Sequence, residues 1–355
     1  MKKVLATLMT MGLAVSMLAG CGTKDAASTE AQTKTAESVA EDTSAAEDTD
    51  AADSDAAAGD ETYTIGICQL VQHDALDAAT QGFKDALTEK LGDRVSFDEQ
   101  NASGDPVNCA TIVNQFVSAD VDLILANATA SLQAAAAATD SIPILGTSIT
   151  DYATALEIDD WTGTTGKNIS GTSDLAPLDQ QAQILNEMFP DAKNVGLLFC
   201  SAEANSAYQI GVIKEALEGL GYTCKEYSFA DSNDIASVVT SAVSENEVLY
   251  VPTDNTAASN AEVINNICVP AGIPVIAGEE GICNGCGIAT LSIAYHDIGY
   301  KAGEMAYEIL VNGADVSTMP IEFAPQVTKK YHASRCEELN ITVPEGYEPI
   351  EGSAE

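Results

Sequence analysis

The chain has 355 residues, with 54 Asp and Glu against 15 Lys and Arg and a formal net charge of −39. This excess of acid excludes nucleic-acid binding, which needs a basic surface, and otherwise bears mainly on solubility. The roughly 295 residues that follow a low-complexity amino-terminal segment are too many for a minimal domain and suit two lobes of ordinary size.

Residues 1–21 predict a signal segment. Lys2 and Lys3 precede an apolar run that is too short to span a membrane comfortably, and "LAGC" ends at Cys21. The "LAGC" ending resembles a bacterial lipoprotein signal, in which Cys21 becomes the lipidated first residue; an ordinary secretory signal is the alternative. Because two or more acyl chains anchor stably, we expect attachment to the outer face of the cytoplasmic membrane.

Residues 22–60 consist mostly of Ala, Ser, Thr, Asp and Glu, with almost no large side chains. Such a segment cannot bury enough apolar surface to offset the entropy lost on ordering. We therefore expect a disordered, self-repelling tether that lifts the folded part away from the membrane.

From Tyr63 onward, short apolar runs alternate with amphipathic segments, which is the pattern of βα units. Asp105 is the expected N-cap of the second helix, and Pro106 its first residue. The elements predicted for this first run are strand 63–69, helix 74–91, strand 95–100, helix 104–118, strand 121–127, helix 130–140 and strand 142–148. A parallel sheet with helices on both faces follows.

The pattern repeats in the second half of the chain. "IPIL" (142–145) and "IPVI" (273–276) hold the same place in the two runs. The strands predicted for the second run are 194–200, 222–229, 247–253 and 273–279. The predicted fold class is therefore α/β, with two similarly built lobes that each contain a parallel sheet.

Two crossings between the lobes are expected, near 168–177 and near 289–297, and the amphipathic segment 299–313 should return to the first lobe. Residues 321–347 should supply at least one more strand, and a third crossing is left open. We assign residues 1–21 to the signal and residues 22–60 to the tether. The first lobe is expected to contain 61–170 and 296–318, and the second lobe 171–289 and part of 319–345. Residues 346–355 are expected to form a tail.

Polar loops follow six of the predicted strands. In an open α/β sheet, ligands bind outside the carboxyl ends of the strands, where helix N-termini favour anions. The six loops begin with "QLVQHDALD", "ANATAS", "GTSITD", "CSAEANSAY", "PTDNTAAS" and "GEEGICNG". Asp74, Ser131 and Asp254 could each serve only as an N-cap. Six polar loops at one sheet edge nevertheless favour a ligand cleft between the lobes.

The nine cysteines invite a disulfide interpretation, since eight remain after Cys21. Cys68 and Cys200 end apolar strands, and Cys109 and Cys268 lie in helical patterns, so these four are expected to be buried thiols. Only Cys283 and Cys286 have local spacing for a bond, and either a disulfide or two free thiols is expected there. No second pair or nearby histidine completes a zinc site, so we predict no metal and no cofactor.

Six motifs together resemble the substrate-binding lipoproteins of ABC transporters. They are "HDALDAATQGF", "SGTSDLAPLDQQ", "CSAEANSAYQ", "YVPTDNT", "PVIAGEEG" and "GYKAGEMAYEIL". More narrowly, the sequence is similar to the branch that binds tryptophan and related aromatic amino acids, over residues 63–345. The resemblance implies the type I periplasmic-binding-protein fold, with two Rossmann-like lobes joined by a hinge. It also implies a non-catalytic receptor that delivers its ligand to a membrane permease and its ATPase, and we expect this receptor to be a monomer.

The chain departs from the family pattern at three places around the expected cleft. Gln72 and Asp74 stand where Glu and Pro often flank the histidine, and Asn127-Ala128-Thr129 replaces a Thr-Pro-Thr run. Ala294 stands where an Asp is common. These changes bear on which ligand side chain is bound and leave the expected fold unchanged.

An amino-acid ligand needs three kinds of partner. Hydroxyl and backbone N–H groups at residues 129, 130, 147 and 148 suit its carboxylate. Asp254 is the first choice for its ammonium, with Asn255 or Thr256 as the cap and with Glu203 and Glu279 as reserves. Leu76, Tyr152 and Tyr208 are the expected apolar wall. The full predicted set is Gln72, His73, Leu76, Asn127, Thr129, Ala130, Thr147, Ser148, Tyr152, Asp174, Ser201, Glu203, Asn205, Ser206, Tyr208, Asp254, Asn255 and Glu279.

Three other functions are weighed against the receptor. A sensor for a signalling partner would use the same lobes. An enzyme is disfavoured because the chain has no G-x-S-x-G, Walker or H-E-x-x-H motif, and none of its three histidines has an obvious nucleophile partner. A thiol-redox role for Cys283 and Cys286 is weaker, because the pair does not follow the first strand at a helix N-terminus.

Overall fold

The computed structural model describes residues 61–353. The strands are β1 (Tyr63–Gln69), β2 (Val95–Asn101), β3 (Leu123–Asn127), β4 (Ile144–Ile149), β5 (Ile169–Ser173), β6 (Asn194–Cys200), β7 (Thr223–Phe229), β8 (Val248–Val251), β9 (Val275–Ala277), β10 (Ala289–Ser292), β11 (Glu322–Phe323), β12 (Thr328–Tyr331) and β13 (Glu348–Pro349). The helices are α1 (Asp74–Leu91), α2 (Pro106–Ala119), α3 (Thr129–Ala138), α4 (Tyr152–Ala155), α5 (Leu178–Met188), α6 (Ala204–Gly219), α7 (Ile235–Val243), α8 (Asn255–Ala258), α9 (Ala261–Cys268), α10 (Glu280–Gly285), α11 (Tyr295–Leu310) and α12 (Ala333–Glu338).

The strands form two sheets, one in each lobe. In lobe 1 the order is β11-β5-β4-β3-β1-β2, and every pairing is parallel. In lobe 2 the order is β13-β12-β10-β9-β8-β6-β7, and only β10 with β12 is antiparallel. The predicted fold class of two α/β lobes with parallel sheets is therefore confirmed.

Helices α1 and α11 pack closely against each other in lobe 1. A Cβ atom added at Gly299 would collide with the carbonyl oxygen of Ala79, and one at Gly82 with that of His296. Glycine at both positions therefore lets the two helix backbones approach. This packing returns the chain to lobe 1, as the amphipathic segment 299–313 predicts.

The chain crosses between the lobes three times: from β5 to α5, from β10 to α11, and from β11 to β12. The boundary predicted at 170 lies inside β5, because that strand pairs with β4 as far as Ser173. The tail prediction for 346–355 also needs correction. β13 pairs with β12, and Ile350 and Ser353 are buried, so these residues belong to lobe 2.

The predicted start of α2 is correct, since the Asp105 carboxylate accepts the N–H of Val107 at 2.8 Å and Pro106 opens the helix. Asp74 and Ser131 are not caps; the N-cap positions are His73 and Ala128. Within residues 61–353, no helix is long and apolar enough to cross a membrane, and no cluster of side chains suits a metal ion.

All eight cysteines of residues 61–353 are free thiols, including Cys283 and Cys286, which are buried. Of the two alternatives expected for Cys283 and Cys286, the structure contains two free thiols and not a disulfide. The predicted signal (1–21), the lipidation of Cys21 and the acidic tether (22–60) lie outside the described residues.

Candidate ligand-binding site between the lobes

A cavity of ≈ 370 Å³ lies between the two lobes, at the carboxyl ends of their strands. Lobe 1 contributes the loops after β1, β2 and β3, and lobe 2 contributes those after β6, β7 and β8. Its lining residues are Leu70, Val71, Ser103, Gly104, Asp105, Pro106, Thr129, Ala130, Gln133, Cys200, Ala202, Glu203, Ala204, Asn205, Ala230, Asp231, Ser232, Asn255, Thr256, Ser259 and Asn260. This is the position at which an α/β sheet binds its ligand.

The charge of the cavity wall is negative. Asp105, Glu203 and Asp231 line it, and none of its described lining residues is Lys or Arg. A cationic group would therefore be attracted, whereas an anionic group must be held by neutral donors.

Helix α3 supplies such donors on the lobe 1 side. Its N-cap residue, Ala128, has no side chain that can cap, so the first N–H groups of the helix lack a side-chain partner. Ala128 also has φ 87 and ψ 157, a conformation that residues other than glycine rarely adopt. The strained turn places Thr129 and Ala130 on the cavity wall, where a carboxylate is favoured by the helix dipole.

Two further lobe 1 side chains have polar atoms without a partner among the described residues. The Oγ of Ser148 and the Oδ1 of Asn127 are both buried and unpaired. Ser148 also has a positive φ of 57, at an irregularity in the pairing of β4 with β5. Thr147 is different, because its hydroxyl accepts a hydrogen bond from Thr172 inside the lobe at 3.1 Å.

On the lobe 2 side, the Glu203 carboxylate ties the start of α6 to the start of α8. One carboxylate oxygen accepts hydrogen bonds from the backbone N–H and side-chain amide of Asn255 and from the side-chain amide of Asn205. The other accepts hydrogen bonds from the backbone N–H and hydroxyl of Thr256. These donors, at 2.7 to 3.2 Å, hold Glu203 in place on the cavity wall. Glu203 thus presents a negative charge to the cavity in a rigid setting.

Asp254 does not face the cleft, so the interpretation of the "PTDNT" cluster was wrong in this respect. Its side chain is 1% exposed and is itself the N-cap of α8, accepting the N–H of Ala257 at 2.8 Å and that of Cys200 at 2.6 Å. Burial, followed by the nearby charge of Glu203, raises the pKa of Asp254. Asn255 and Thr256 do not cap α8; they contact Glu203.

Glu279 and Asp174 are also buried carboxylates with structural partners. Glu279 caps α10 by accepting the N–H groups of Gly281 and Ile282, and it lines a different cavity of ≈ 430 Å³. Asp174 accepts from Tyr295 at 3.0 Å and from Thr150 at 3.1 Å. Burial raises the pKa of Glu279 to about 7 and that of Asp174 to about 6.

His73 makes a direct contact between the lobes, with its Nε2 3.2 Å from the Oδ1 of Asn255. Together with Gln72 it lines a neighbouring cavity of ≈ 260 Å³. His73 does not line the ≈ 370 Å³ cavity, but its ring joins the two lobes at this point.

The predicted apolar wall needs correction. Leu76 and Tyr152 are 1% and 2% exposed, and their packing in the core of lobe 1 keeps them off the cavity wall. Tyr208 lies on α6, half-buried, but does not line the cavity either. The apolar surface comes instead from aliphatic side chains, chiefly those of Leu70 and Val71.

The other predicted residues of lobe 2 have mixed positions. Asn205 lines the cavity and donates to the carbonyl oxygen of Thr253 at 3.1 Å. Ser206 is fully buried behind it. Ser201 is exposed and donates to the carbonyl oxygen of Phe229 at 3.2 Å, away from the cavity wall.

Two of the loops that line the cavity are missing from the six picked out in the sequence. These are the loop after β2, with Ser103 to Pro106, and the loop after β7, with Ala230 to Ser232. Both follow a strand and precede a helix, so their "SGDP" and "ADS" sequences carried the same polar signal. Both strands were predicted, but they are largely exposed and weakly apolar, and only the loops after the more apolar strands were selected.

A family model described as ABC transporter substrate binding protein matches residues 64–348. The chain belongs to this family. Its members are substrate-binding proteins rather than enzymes, so the family prediction and the non-catalytic prediction are both confirmed. A tyrosine-binding protein of Clostridioides difficile (strain R20291) is 34% identical over 323 residues, which cover 90% of this chain and 87% of that protein.

Two solved structures bear on the arrangement of the lobes. One is an ABC domain in complex with L-Trp from Streptococcus pneumonia, with 30% identity, a TM-score of 0.78 and coverage of 82% of this chain and 100% of that one. The other is the ligand-free, open structure of a substrate binding protein with adhesive properties from Clostridium difficile, with 36% identity, a TM-score of 0.63 and coverage of 81% and 99%. The TM-score is higher for the complex than for the open structure, and in this chain His73 and Asn255 make a direct contact between the lobes.

Proposed function

We propose that this substrate-binding protein is the extracytoplasmic component of an ABC importer and binds an aromatic amino acid between its lobes. The observation that carries this proposal is the pairing of opposite chemistries across one cavity. The uncapped N-terminus of α3 lies on one side and the Glu203 carboxylate on the other. A zwitterion presents a carboxylate and an ammonium group to these two features.

The carboxylate of the ligand is assigned to the first turn of α3, with the hydroxyl of Thr129 as an additional donor. The site supplies no guanidinium or ammonium group from its described lining residues, so backbone N–H groups and the helix dipole provide the attraction. Glu203 is assigned to the ammonium, in place of Asp254, because Glu203 lines the cavity and Asp254 is enclosed beneath it.

The size and lining of the cavity support a ligand with one large apolar group. A volume of ≈ 370 Å³ is at the small end of the range usual for ligand pockets, about 300–1,000 Å³. Leu70, Val71 and Pro106 offer apolar surface to a side chain. The names of two relatives, one tyrosine-binding and one in complex with L-Trp, favour an aromatic amino acid.

The remaining parts of the proposal concern the setting. Attachment through a lipidated Cys21 rests on the "LAGC" motif, and delivery to a permease and its ATPase rests on the family. Closing of two lobes around a ligand, by hinge motion at three crossings, would signal occupancy to such a partner.

The test is binding of L-tyrosine and L-tryptophan to residues 61–355 by calorimetry, alongside a sugar and a nucleoside. Glu203→Gln keeps the shape of the side chain but removes its charge, and we expect affinity for the amino acid to fall roughly tenfold or more. Glu247→Gln is the matched control, since Glu247 also accepts backbone N–H groups but does so at the other end of the lobe 2 sheet. Binding of the sugar or nucleoside alone would contradict the proposed ligand class.

A further inference from the structure

The N-cap position of helix α1 is held by His73, whose side chain does not cap the helix. N-cap positions favour Ser, Thr, Asp and Asn, because these side chains accept an N–H group of the first turn. His73 occupies the position with an extended backbone, φ −165 and ψ 164, and makes no capping hydrogen bond. The helix therefore lacks a side-chain cap, and the imidazole is available for another contact.

That contact is made with the opposite lobe. The Nε2 of His73 is 3.2 Å from the Oδ1 of Asn255, which opens helix α8 of lobe 2. Nδ1 is buried and has no hydrogen-bond partner among the described residues, so the ring makes its polar contact through Nε2. His73 lines the ≈ 260 Å³ cavity, and Asn255 lines the ≈ 370 Å³ cavity assigned to the ligand. The two lobes thus meet at the edge of the proposed site.

Glu203 fixes the direction of this hydrogen bond. The amide nitrogen of Asn255 donates to the Glu203 carboxylate at 2.7 Å, and a carboxylate only accepts. The amide oxygen of Asn255 therefore faces His73, and Nε2 must donate to it. The backbone N–H of Asn255 donates to the same carboxylate at 3.1 Å, so Asn255 is held at two points. A chain of hydrogen bonds runs from His73 in lobe 1 to Glu203 on the cavity wall.

The contact lies away from the crossings between the lobes. His73 follows β1 and Asn255 follows β8, whereas the hydrogen bond of Tyr295 with Asp174 lies at two of the crossings. A hinge rotation moves groups far from the hinge more than groups close to it. Separation of the lobes would therefore break the contact of His73 with Asn255 and could leave the hinge contacts intact.

We propose that the hydrogen bond from Nε2 of His73 to Oδ1 of Asn255 is a latch that holds the lobes together around the ligand, with Glu203 orienting the latch. This inference rests on the proposed function and deepens it, since it concerns how long the ligand is retained. His73 acts as a positioning residue and does not touch the ligand. Because the ligand leaves when the lobes separate, loss of the latch should speed dissociation and leave the association rate nearly unchanged.

The latch can be tested by removing either of its two sides. His73→Phe keeps a ring and removes both nitrogens, His73→Gln keeps an N–H donor near the position of Nε2, and Asn255→Ala removes the acceptor. His296→Gln is the matched control, because His296 is exposed and its ring contacts Asp85 at 3.1 Å inside lobe 1. Association and dissociation rates are measured with radiolabelled L-tyrosine and L-tryptophan, and dissociation is started by an excess of unlabelled ligand.

We expect His73→Phe to release the ligand about three- to tenfold faster than the wild type, with an association rate within about twofold of it. His73→Gln should recover part of the difference, and His296→Gln should match the wild type. In the Asn255→Ala background, His73→Phe should not change dissociation further, because its partner is already gone. In ¹⁵N-histidine NMR spectra of the liganded wild type, the Nε2 proton of His73 should be visible, and it should be lost in Asn255→Ala.

Wild-type release from His73→Phe, additive effects of His73→Phe and Asn255→Ala, or an unprotonated Nε2 in the liganded wild type would overturn the latch and leave the amino-acid receptor intact. Urea unfolding checks that each variant folds, and His73→Ala takes the place of His73→Phe in the same comparison if the larger ring prevents folding. If the wild type binds neither L-tyrosine nor L-tryptophan, the proposed function fails and this inference fails with it.

Discussion

The two faces of the cleft differ in how far their polar groups are satisfied within the protein. On the lobe 2 side, the carboxylates of Glu203 on the cavity wall and of Asp254 and Glu279 behind it all accept hydrogen bonds from their own lobe. On the lobe 1 face, by contrast, His73, Asn127 and Ser148 each carry a buried atom without a partner in the described part of the chain. The strained backbone at residues 128 and 148 lies on the same face.

This difference suggests a division of labour. Lobe 2 uses its carboxylates to hold helix starts in place, so its face is rigid before any ligand arrives. Lobe 1 keeps unpaired groups and backbone strain, which are the features expected where a ligand completes the structure. Substitutions on the lobe 2 face should therefore lower stability, and those on the lobe 1 face should lower affinity. Glu203 is the exception that should affect affinity from lobe 2.

The largest effect is expected for Asp254→Ala. The change leaves the buried N–H groups of Cys200 and Ala257 unpaired, so the free energy of unfolding should fall by about 2–4 kcal/mol. Urea unfolding of the ligand-free protein measures it. Asp105→Ala is the control, because this exposed cap holds only the N–H of Val107 and should cost roughly 1 kcal/mol. Equal losses in the two variants would argue against a special structural role for Asp254.

A smaller effect is expected for Ser148→Ala, and it should lower ligand affinity rather than stability. Its hydroxyl has no partner in the described structure, so removal should change the free energy of unfolding by less than about 0.5 kcal/mol. If the hydroxyl binds the ligand, affinity should fall about tenfold, or roughly 1.4 kcal/mol. Calorimetry and urea unfolding on the same sample compare the two. A loss of stability without a loss of affinity would remove the distinction between the faces.

The third effect concerns the pH dependence of stability at Glu279. Burial raises its pKa from 4.5 to about 7, so the folded protein binds a proton more tightly than the unfolded chain does. The stability contributed by this proton is complete below pH 4.5 and is lost as the pH rises through about 7. Glu279→Gln does not titrate. The free energy of unfolding of the wild type relative to this variant should thus fall by about 3 kcal/mol between pH 4.5 and 7.5.

The control for that measurement is Glu247→Gln, measured by urea unfolding over the same pH range. Backbone N–H groups lower the pKa of Glu247, so its contribution to stability is lost as the pH falls rather than as it rises. The stability difference should therefore change in the opposite direction. A pH profile for Glu279→Gln that follows the control would show that the buried carboxylate of Glu279 is already charged in the folded protein.

Sequence alone was sufficient for the layout of the chain. Local patterns of apolar residues and caps do not depend on distant contacts. They predicted strand β1, helix α1 and the start of α2 at Asp105 and Pro106. The repeat of βα units determined the two lobes, and the motifs determined the family. The carboxyl-edge rule then selected residues 129, 130, 203, 205 and 255 of the cavity wall.

Tertiary structure decided which carboxylate faces the cavity. Asp254 and Glu203 both follow a strand and precede a helix, so their sequence contexts are alike. Asp254 is enclosed because the N–H of Cys200, 54 residues away, reaches its side chain. Glu203 lines the cavity because Asn255 and Thr256 of another loop orient it from behind. Such contacts depend on how strands β6 and β8 pair, and no local pattern in the sequence records that distance.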